Sequence, residues 1–217
     1  MLSVSGLEVS IAAVKILRGV SLHAPAGTIT GLVGRNGAGK TTFMKSVMGL
    51  LKCSAGQIRF DDADIAAMPT HRRARLGIGY MPEDRRLVAA LSAQDNMLVP
   101  AWANGVRQPQ LRLAEIYRTI PELVPLAARK APQLSGGQQK LVALGRAVLA
   151  GTRLLLLDEP FEGVAPALAR RLVELIVELR REGLTVVVSA SDLQHAEKVV
   201  DHIALIDRGT ILEAQRR

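Results

Sequence analysis

Gly34-Arg35-Asn36-Gly37-Ala38-Gly39-Lys40-Thr41 constrains this chain more than any other stretch, because it has the form G-x-x-x-x-G-K-[ST] and sits between two periodic segments. Before it, Thr28 to Val33 reads as a short buried strand entered from the turn residues Pro25-Ala26-Gly27. After it, Thr41 to Leu51 has helical spacing. In this order the glycines let the backbone curl so that successive N–H groups face phosphate oxygens, and the helix N-terminus adds partial positive charge. Lys40 is placed to reach the β- and γ-phosphates of a nucleoside triphosphate, and the Thr41 hydroxyl to ligate Mg²⁺.

A second motif fits the first. Leu154-Leu155-Leu156-Leu157-Asp158-Glu159 is an apolar strand ending in two carboxylates, which puts both acids at the C-terminal edge of a sheet, where open α/β folds bind their ligands. Asp158 is the natural partner of the Mg²⁺ shell. Glu159 is placed to take a proton from, or orient, the water that attacks the γ-phosphate. Between these motifs, Leu134-Ser135-Gly136-Gly137-Gln138 precedes a helix, with Ser135 at the expected N-cap and two glycines making a second phosphate-binding nest. It lies about 95 residues after the phosphate loop and about 20 before the acid pair.

The rest of the chain alternates in a way that suits these sites. Gln57 to Phe60 alternates polar and apolar residues up to the turn Asp61-Asp62-Ala63-Asp64, as a strand of a small antiparallel sheet should. From 84 to 133 strand signals vanish, prolines at 100, 109, 121, 125 and 132 punctuate the chain, and Leu111 to Ile120 reads as helix. That span is expected to be a helical subdomain inserted in the nucleotide-binding core. Alternation then resumes: helix from Gln138, strand Arg153 to Leu157, helix Ala167 to Arg181, strand Leu184 to Ser189, helix Asp192 to Val200, and a terminal hairpin over Ile203 to Leu212. The pattern predicts an α/β fold with a parallel sheet covered on both faces.

Composition bounds the setting. At 217 residues and 48% hydrophobic content the chain can fill the core of one domain, 1–217. No apolar run approaches the roughly 20 residues needed to cross a bilayer. Met1 to Gly6 lacks the basic and apolar segments of a signal peptide, so a cytosolic setting is expected. The lone cysteine, Cys53, gives neither an internal disulfide nor a metal-ligand cluster. The net charge of +8 suits anionic partners. Its bearers, such as Arg170, Arg171, Arg180 and Arg181, are dispersed along helices, and six aromatic residues offer little stacking surface, so no nucleic-acid partner is expected.

Taken in order, GRNGAGKTT from Gly34 to Thr42, LSGGQ from Leu134 and LLLLDEP from Leu154 resemble the ABC ATPases along nearly the whole chain. The resemblance implies a P-loop NTPase core of RecA-like type with a small antiparallel β subdomain. It also implies ATP and Mg²⁺ as ligands and a head-to-tail dimer with a second, similar ATP-binding subunit. In that dimer Ser135, Gly136, Gly137 and Gln138 serve the partner's nucleotide. Tyr80-Met81-Pro82-Glu83-Asp84-Arg85-Arg86, Ile120-Pro121-Glu122-Leu123 and Asp158-Glu159-Pro160-Phe161-Glu162-Gly163-Val164-Ala165-Pro166 resemble the ATP-binding subunits of branched-chain amino acid importers. Such subunits sit at the inner face of the cell membrane beside transmembrane permease subunits and act indirectly with a solute-binding protein. Glu83 holds a switch position that is Gln in most of the family and often Glu in this subfamily, where it senses Mg²⁺.

Two positions depart from the family pattern. Ile11 stands where an aromatic residue usually stacks on adenine, a loss of about 1–3 kcal/mol of stacking by alanine replacement. Ser191, followed by Asp192, stands where a His commonly contacts the γ-phosphate, although importer subunits often lack that His too. These departures motivate a second reading, a poorly catalytic partner whose LSGGQ completes another subunit's site. A lipid or lipopolysaccharide exporter motor is the alternative for the substrate; a non-transport ABC protein would usually fuse two such domains or interrupt one with long coiled coils, and this sequence shows neither feature.

Overall fold

The computed structural model describes residues 1–192, 197 and 199–216, with side chains described as far as residue 212. In chain order the strands and helices are β1 (Leu2–Ile11), β2 (Val14–Ala24), β3 (Ile29–Val33), α1 (Lys40–Met48), β4 (Ala55–Phe60), β5 (Ala63–Asp64), α2 (Thr70–Arg75) and β6 (Ile78–Met81). Then come α3 (Ala93–Asn104), α4 (Pro109–Thr119), α5 (Gly136–Ala150), β7 (Leu154–Leu157), α6 (Pro166–Arg181), β8 (Thr185–Ala190), β9 (His202–Asp207) and β10 (Thr210–Arg216).

The larger sheet has the order β10-β9-β3-β8-β7-β6, with β9, β3, β8, β7 and β6 mutually parallel and β10 antiparallel to β9. β3, β7 and β8 are buried along their whole length, which explains their unbroken apolar sequences. The four leucines of β7 divide between two cores: Leu155 and Leu157 pack with α5, α6 and the helical segment, Leu154 and Leu156 with α1 and the smaller sheet. That smaller sheet, β2-β1-β4-β5, is antiparallel. The fold is α/β of the P-loop type, with a small antiparallel β subdomain.

Between residues 84 and 133 every strand or helix is helical: α3, α4 and two 3₁₀ turns at Pro121–Leu126 and Ala131–Gln133. Pro100 does not interrupt α3. The loop before this helix is anchored by the fully buried Asn96, which accepts from Val88 N–H and donates to the carbonyls of Val88, Leu91 and Ser92.

Several sequence boundaries shift for identifiable reasons. Arg153 precedes β7 instead of opening it, and its side chain pairs with Asp61 and lies over the Phe60 ring at 5.1 Å. The helix expected from Gln138 begins two residues earlier, where Ser135 caps it. Arg171 and Arg180 are not simply solvated, since they pair with Glu122 at 2.5 Å and Asp201 at 3.0 Å. The helix expected over Asp192 to Val200 lies largely outside the described residues. The terminal hairpin turns at Arg208 and Gly209, both with positive φ, as a two-residue turn of this hand requires.

Candidate functional site

Four strand ends converge at the carboxyl edge of the larger sheet: β3 delivers the glycine-rich loop, β7 Asp158 and Glu159, β8 Ser189 to Ser191, and β6 the segment containing Glu83. A cleft of about 460 Å³ opens there, lined by Ile11, Ile16, Asn36, Gly37, Gly39, Lys40, Thr41, Thr42, Glu83 and Glu159.

The loop needs glycine for stated reasons. A Cβ at Gly34 would lie 2.1 Å from the Ile206 carbonyl oxygen of β9, so no larger residue fits against that strand. Gly39 caps α1 at φ 112, a left-handed conformation that favours glycine, and brings no side-chain oxygen to the helix N-terminus. The first N–H groups of α1 are thereby left to an anion. Ala38 is tied down through its carbonyl, which accepts from Gly209 N–H of the terminal hairpin at 2.9 Å.

Lys40 is 4% exposed, and its Nζ donates to the carbonyls of Gly34 and of Arg35 (3.1 Å) and pairs with Glu159 Oε1 at 2.9 Å. Asp158, fully buried, accepts from Ser189 Oγ at 2.7 Å, Thr41 Oγ1 at 3.2 Å and Tyr80 OH at 3.2 Å. Burial pushes its carboxyl above the ordinary carboxylate range, against these three hydroxyl donors. Burial likewise raises Tyr80, with the Asp158 charge adding to it. Glu83 is raised first by burial and then by the carboxylates of Asp158, Glu162 and Glu159, with Lys140 opposing. Ser191 Oγ lies 2.9 Å from Asn36 Oδ1 and 3.2 Å from Glu159 Oε1, so the departure at this position still touches the acid it flanks.

Among the described residues no three His, Cys, Asp or Glu side chains form a metal cluster. The donors at hand, the Thr41 hydroxyl beside the Asp158 carboxylate with Glu83 across the cleft, are hard oxygens. They suit an ion that keeps water and substrate phosphates in its shell, as Mg²⁺ does.

Ile11 reaches the cleft from the end of β1, 43% exposed, beside Ile16. Arg35 and Ala38, of the same loop, do not line this cleft but a neighbouring one that also holds Ser191. Ser135 and Gly136 stand exposed at the start of α5, while Gly137 and Gln138 are half-buried, and none of the four lines this chain's cleft. Ser135 and Gln138 form a capping box: Ser135 N–H donates to Gln138 Oε1 at 2.9 Å, and Gln138 N–H to Ser135 Oγ at 3.3 Å.

Three residues at the site escape the motif reading. Tyr80 sits on Asp158. Ser189 bridges both acids, since its Oγ donates to Asp158 and accepts from Glu159 N–H at 3.0 Å. Lys140 donates to the carbonyl of Glu159. Tyr80 and Ser189 are polar residues within the mostly apolar strands Ile78–Met81 and Thr185–Ala190, and that mismatch is their trace in the sequence, whereas Lys140 follows Gln138-Gln139 and leaves no such trace.

Comparison with known proteins agrees with this geometry. The ABC transporter family matches residues 17–162. The high-affinity branched-chain amino acid transport ATP-binding protein BraG of Pseudomonas aeruginosa is 31% identical over 212 residues, covering 98% of this chain and 91% of that protein. The lipopolysaccharide export system ATP-binding protein LptB of Escherichia coli K12 is 33% identical over 201 residues, covering 91% and 83%. A crystal structure of the ADP conformation of an ABC transporter's ATP-binding cassette superposes with a TM-score of 0.86 at 27% identity, covering all of this chain and 91% of that one. With its phosphate loop, acid pair and full-length relatives in agreement, the chain belongs to the ABC transporter family and is one of its ATPase cassettes.

Proposed function

We propose that this cassette binds MgATP in the cleft at the carboxyl edge of β3 and β7, closes on a second cassette around it, and hydrolyses it to drive transmembrane permease subunits at the inner face of the membrane. The buried Lys40–Glu159 pair beside Thr41 and Asp158 carries the reading. Gly34 to Thr42 and the N-terminus of α1 hold the phosphates, with Lys40 on the terminal ones. Thr41, Asp158 and Glu83 hold Mg²⁺, which neutralises charge on the phosphates when bound. Glu159 orients the attacking water and takes its proton, and Ser191 and Asn36 keep that carboxylate on the cleft side. Ser135, Gly136, Gly137 and Gln138, which stand outside this chain's own cleft, serve the nucleotide of the facing cassette. Ile11 covers the adenine side.

The cargo is read as branched-chain or related amino acids, imported with the help of a solute-binding protein, on the likeness to BraG and on Glu83 at the switch position. The likeness to LptB, of similar identity, supports a second reading, a motor for lipopolysaccharide export. Uptake of labelled leucine by cells lacking this chain separates them. Import is supported by uptake that falls and returns with the wild-type gene but not with Glu159→Gln. Unchanged uptake together with lipopolysaccharide held back from the outer membrane supports export.

A further inference from the structure

α5 grips both loops that border the cleft. At its N-terminal end Arg85, from the loop after β6, donates to the Gly136 carbonyl and to Gln139 Oε1, each at 3.3 Å. Further along, Arg146 donates to the carbonyls of Arg85 and of Arg86, the latter at 2.7 Å. Between these grips Lys140, 5% exposed, reaches the turn that follows β7. Its Nζ donates to the carbonyls of Glu159 at 2.8 Å, Pro160 at 3.1 Å and Glu162. An ammonium has three N–H donors, and this one has a carbonyl for each.

Packing does not require a lysine at this position. Residues 141 to 145 of the same helix are buried and carry no charge, and a methionine would fill a similar volume without the cost of taking a charge out of water. The cation is matched to its surroundings: burial and Arg85 push its pKa down, while the carboxylates of Glu162, Glu159 and Glu83 hold it up.

The turn it grips is one that needs holding. Glu159 has φ 48, a left-handed conformation that disfavours any residue with a Cβ and persists only where its surroundings over-determine it. Ser189 Oγ fixes the Glu159 N–H side and Lys140 the carbonyl side, so the direction of the Glu159 side chain is set by one strand and one helix. Ser135 caps that helix.

We propose that Lys140 is a positioning residue that ties the Ser135–Gln138 end of α5 to the turn carrying Glu159, so that engagement of the facing cassette's nucleotide at the start of α5 sets Glu159 of the same chain for hydrolysis. The proposal rests on the reading of Ser135–Gln138 as serving the facing nucleotide and of Glu159 as the proton acceptor. The two sites of a dimer are thereby linked through one side chain within each chain.

Full-length Lys140→Met, Lys140→Gln and Lys140→Arg proteins test it through kcat, ATP affinity measured without divalent metal, thermal melting, and ATP-driven dimer mass in a Glu159→Gln background. The expected result is a kcat at least tenfold lower in Lys140→Met, ATP affinity and dimer formation within twofold of the unsubstituted proteins, and recovery of turnover in Lys140→Arg. Should Lys140→Met not fold, Lys140→Gln carries the test with the same expected split between kcat and affinity. Wild-type kcat in Lys140→Met and Lys140→Gln overturns the proposal, as does loss of ATP-driven dimerisation in step with turnover, which would confine Lys140 to the fold of α5. Full turnover by Glu159→Gln alone would instead overturn the underlying reading of the site.

Discussion

Lys40 and Glu159 face each other at 2.9 Å across the cleft, with side chains 4% and 7% exposed, joining the start of α1 to the end of β7. Removing one partner of a buried pair leaves the other charge uncompensated, a loss of about 3–5 kcal/mol. Lys40→Ala is therefore expected to lower stability by about 3 kcal/mol. It should also weaken ATP binding by roughly 10- to 100-fold, the size of one hydrogen bond to a charged group. Denaturant unfolding and nucleotide titration check the two effects separately.

Gly136 lies at the exposed start of α5 and outside this chain's own cleft, so its substitution should separate binding from turnover. Under the proposed role of Ser135 to Gln138, the carboxylate of Gly136→Asp would face the phosphate held by the opposite cassette. ATP affinity of the substituted chain should stay within twofold while turnover of the dimer falls at least about 100-fold, as on losing one preorganised donor. If this chain pairs with a different cassette and its own site is slow, Gly136→Asp will damage turnover more than Lys40→Ala does. Equal losses mean two equivalent or tightly coupled sites.

Much of this arrangement was legible before any coordinates, and the exceptions have physical causes. The strands that are buried throughout announce themselves as apolar runs, and the phosphate loop and the acid pair sit at the ends of two of them. β1 does not announce itself, because its buried residues, Leu2 and Val4 and then Leu7 and Val9, change phase where the pairing slips between Val4 and Leu7 around Gly6 at φ 58. β6 is only four residues long, too short for a period. Tyr80, Ser189 and Lys140 went unread as site residues because their partners are strands and turns remote in sequence: Lys140 and Glu159 are 19 residues apart, Tyr80 and Asp158 78.

Ile11 offers a gain of function. It is 43% exposed on the rim of the cleft, at the turn between β1 and β2. Ile11→Tyr supplies an aromatic face for adenine, and a gain of about 1 kcal/mol from stacking corresponds to roughly fivefold tighter ATP binding. Titration with ATP and with inorganic triphosphate checks it, since only the nucleotide should benefit. Equal tightening of both would assign the effect to something other than stacking.

Glu122 and Arg171 join the helical segment to α6 at 2.5 Å. The Arg171 guanidinium holds the Glu122 carboxyl below its ordinary value of 4.5. A depressed folded-state pKa contributes stability above the unfolded value, and that contribution is lost as pH falls below about 4.5 through the folded value. The pair is part-exposed, so the contribution is about 0.5 kcal/mol after solvent screening. Wild type should lose that much more stability than Glu122→Gln between pH 6 and pH 3 in parallel unfolding titrations, a window set by the direction of this shift.

The most direct test of the account is steady-state ATP hydrolysis by the wild-type protein and by Glu159→Gln, with bound ATP quantified in the same samples. The amide keeps an oxygen for Lys40 and Ser191 but cannot take a proton from water. The account predicts hydrolysis by the wild type, and in the variant full ATP occupancy with turnover reduced at least about 100-fold, the contribution of one positioned acid–base group. Equal turnover by the two proteins at equal occupancy would contradict it.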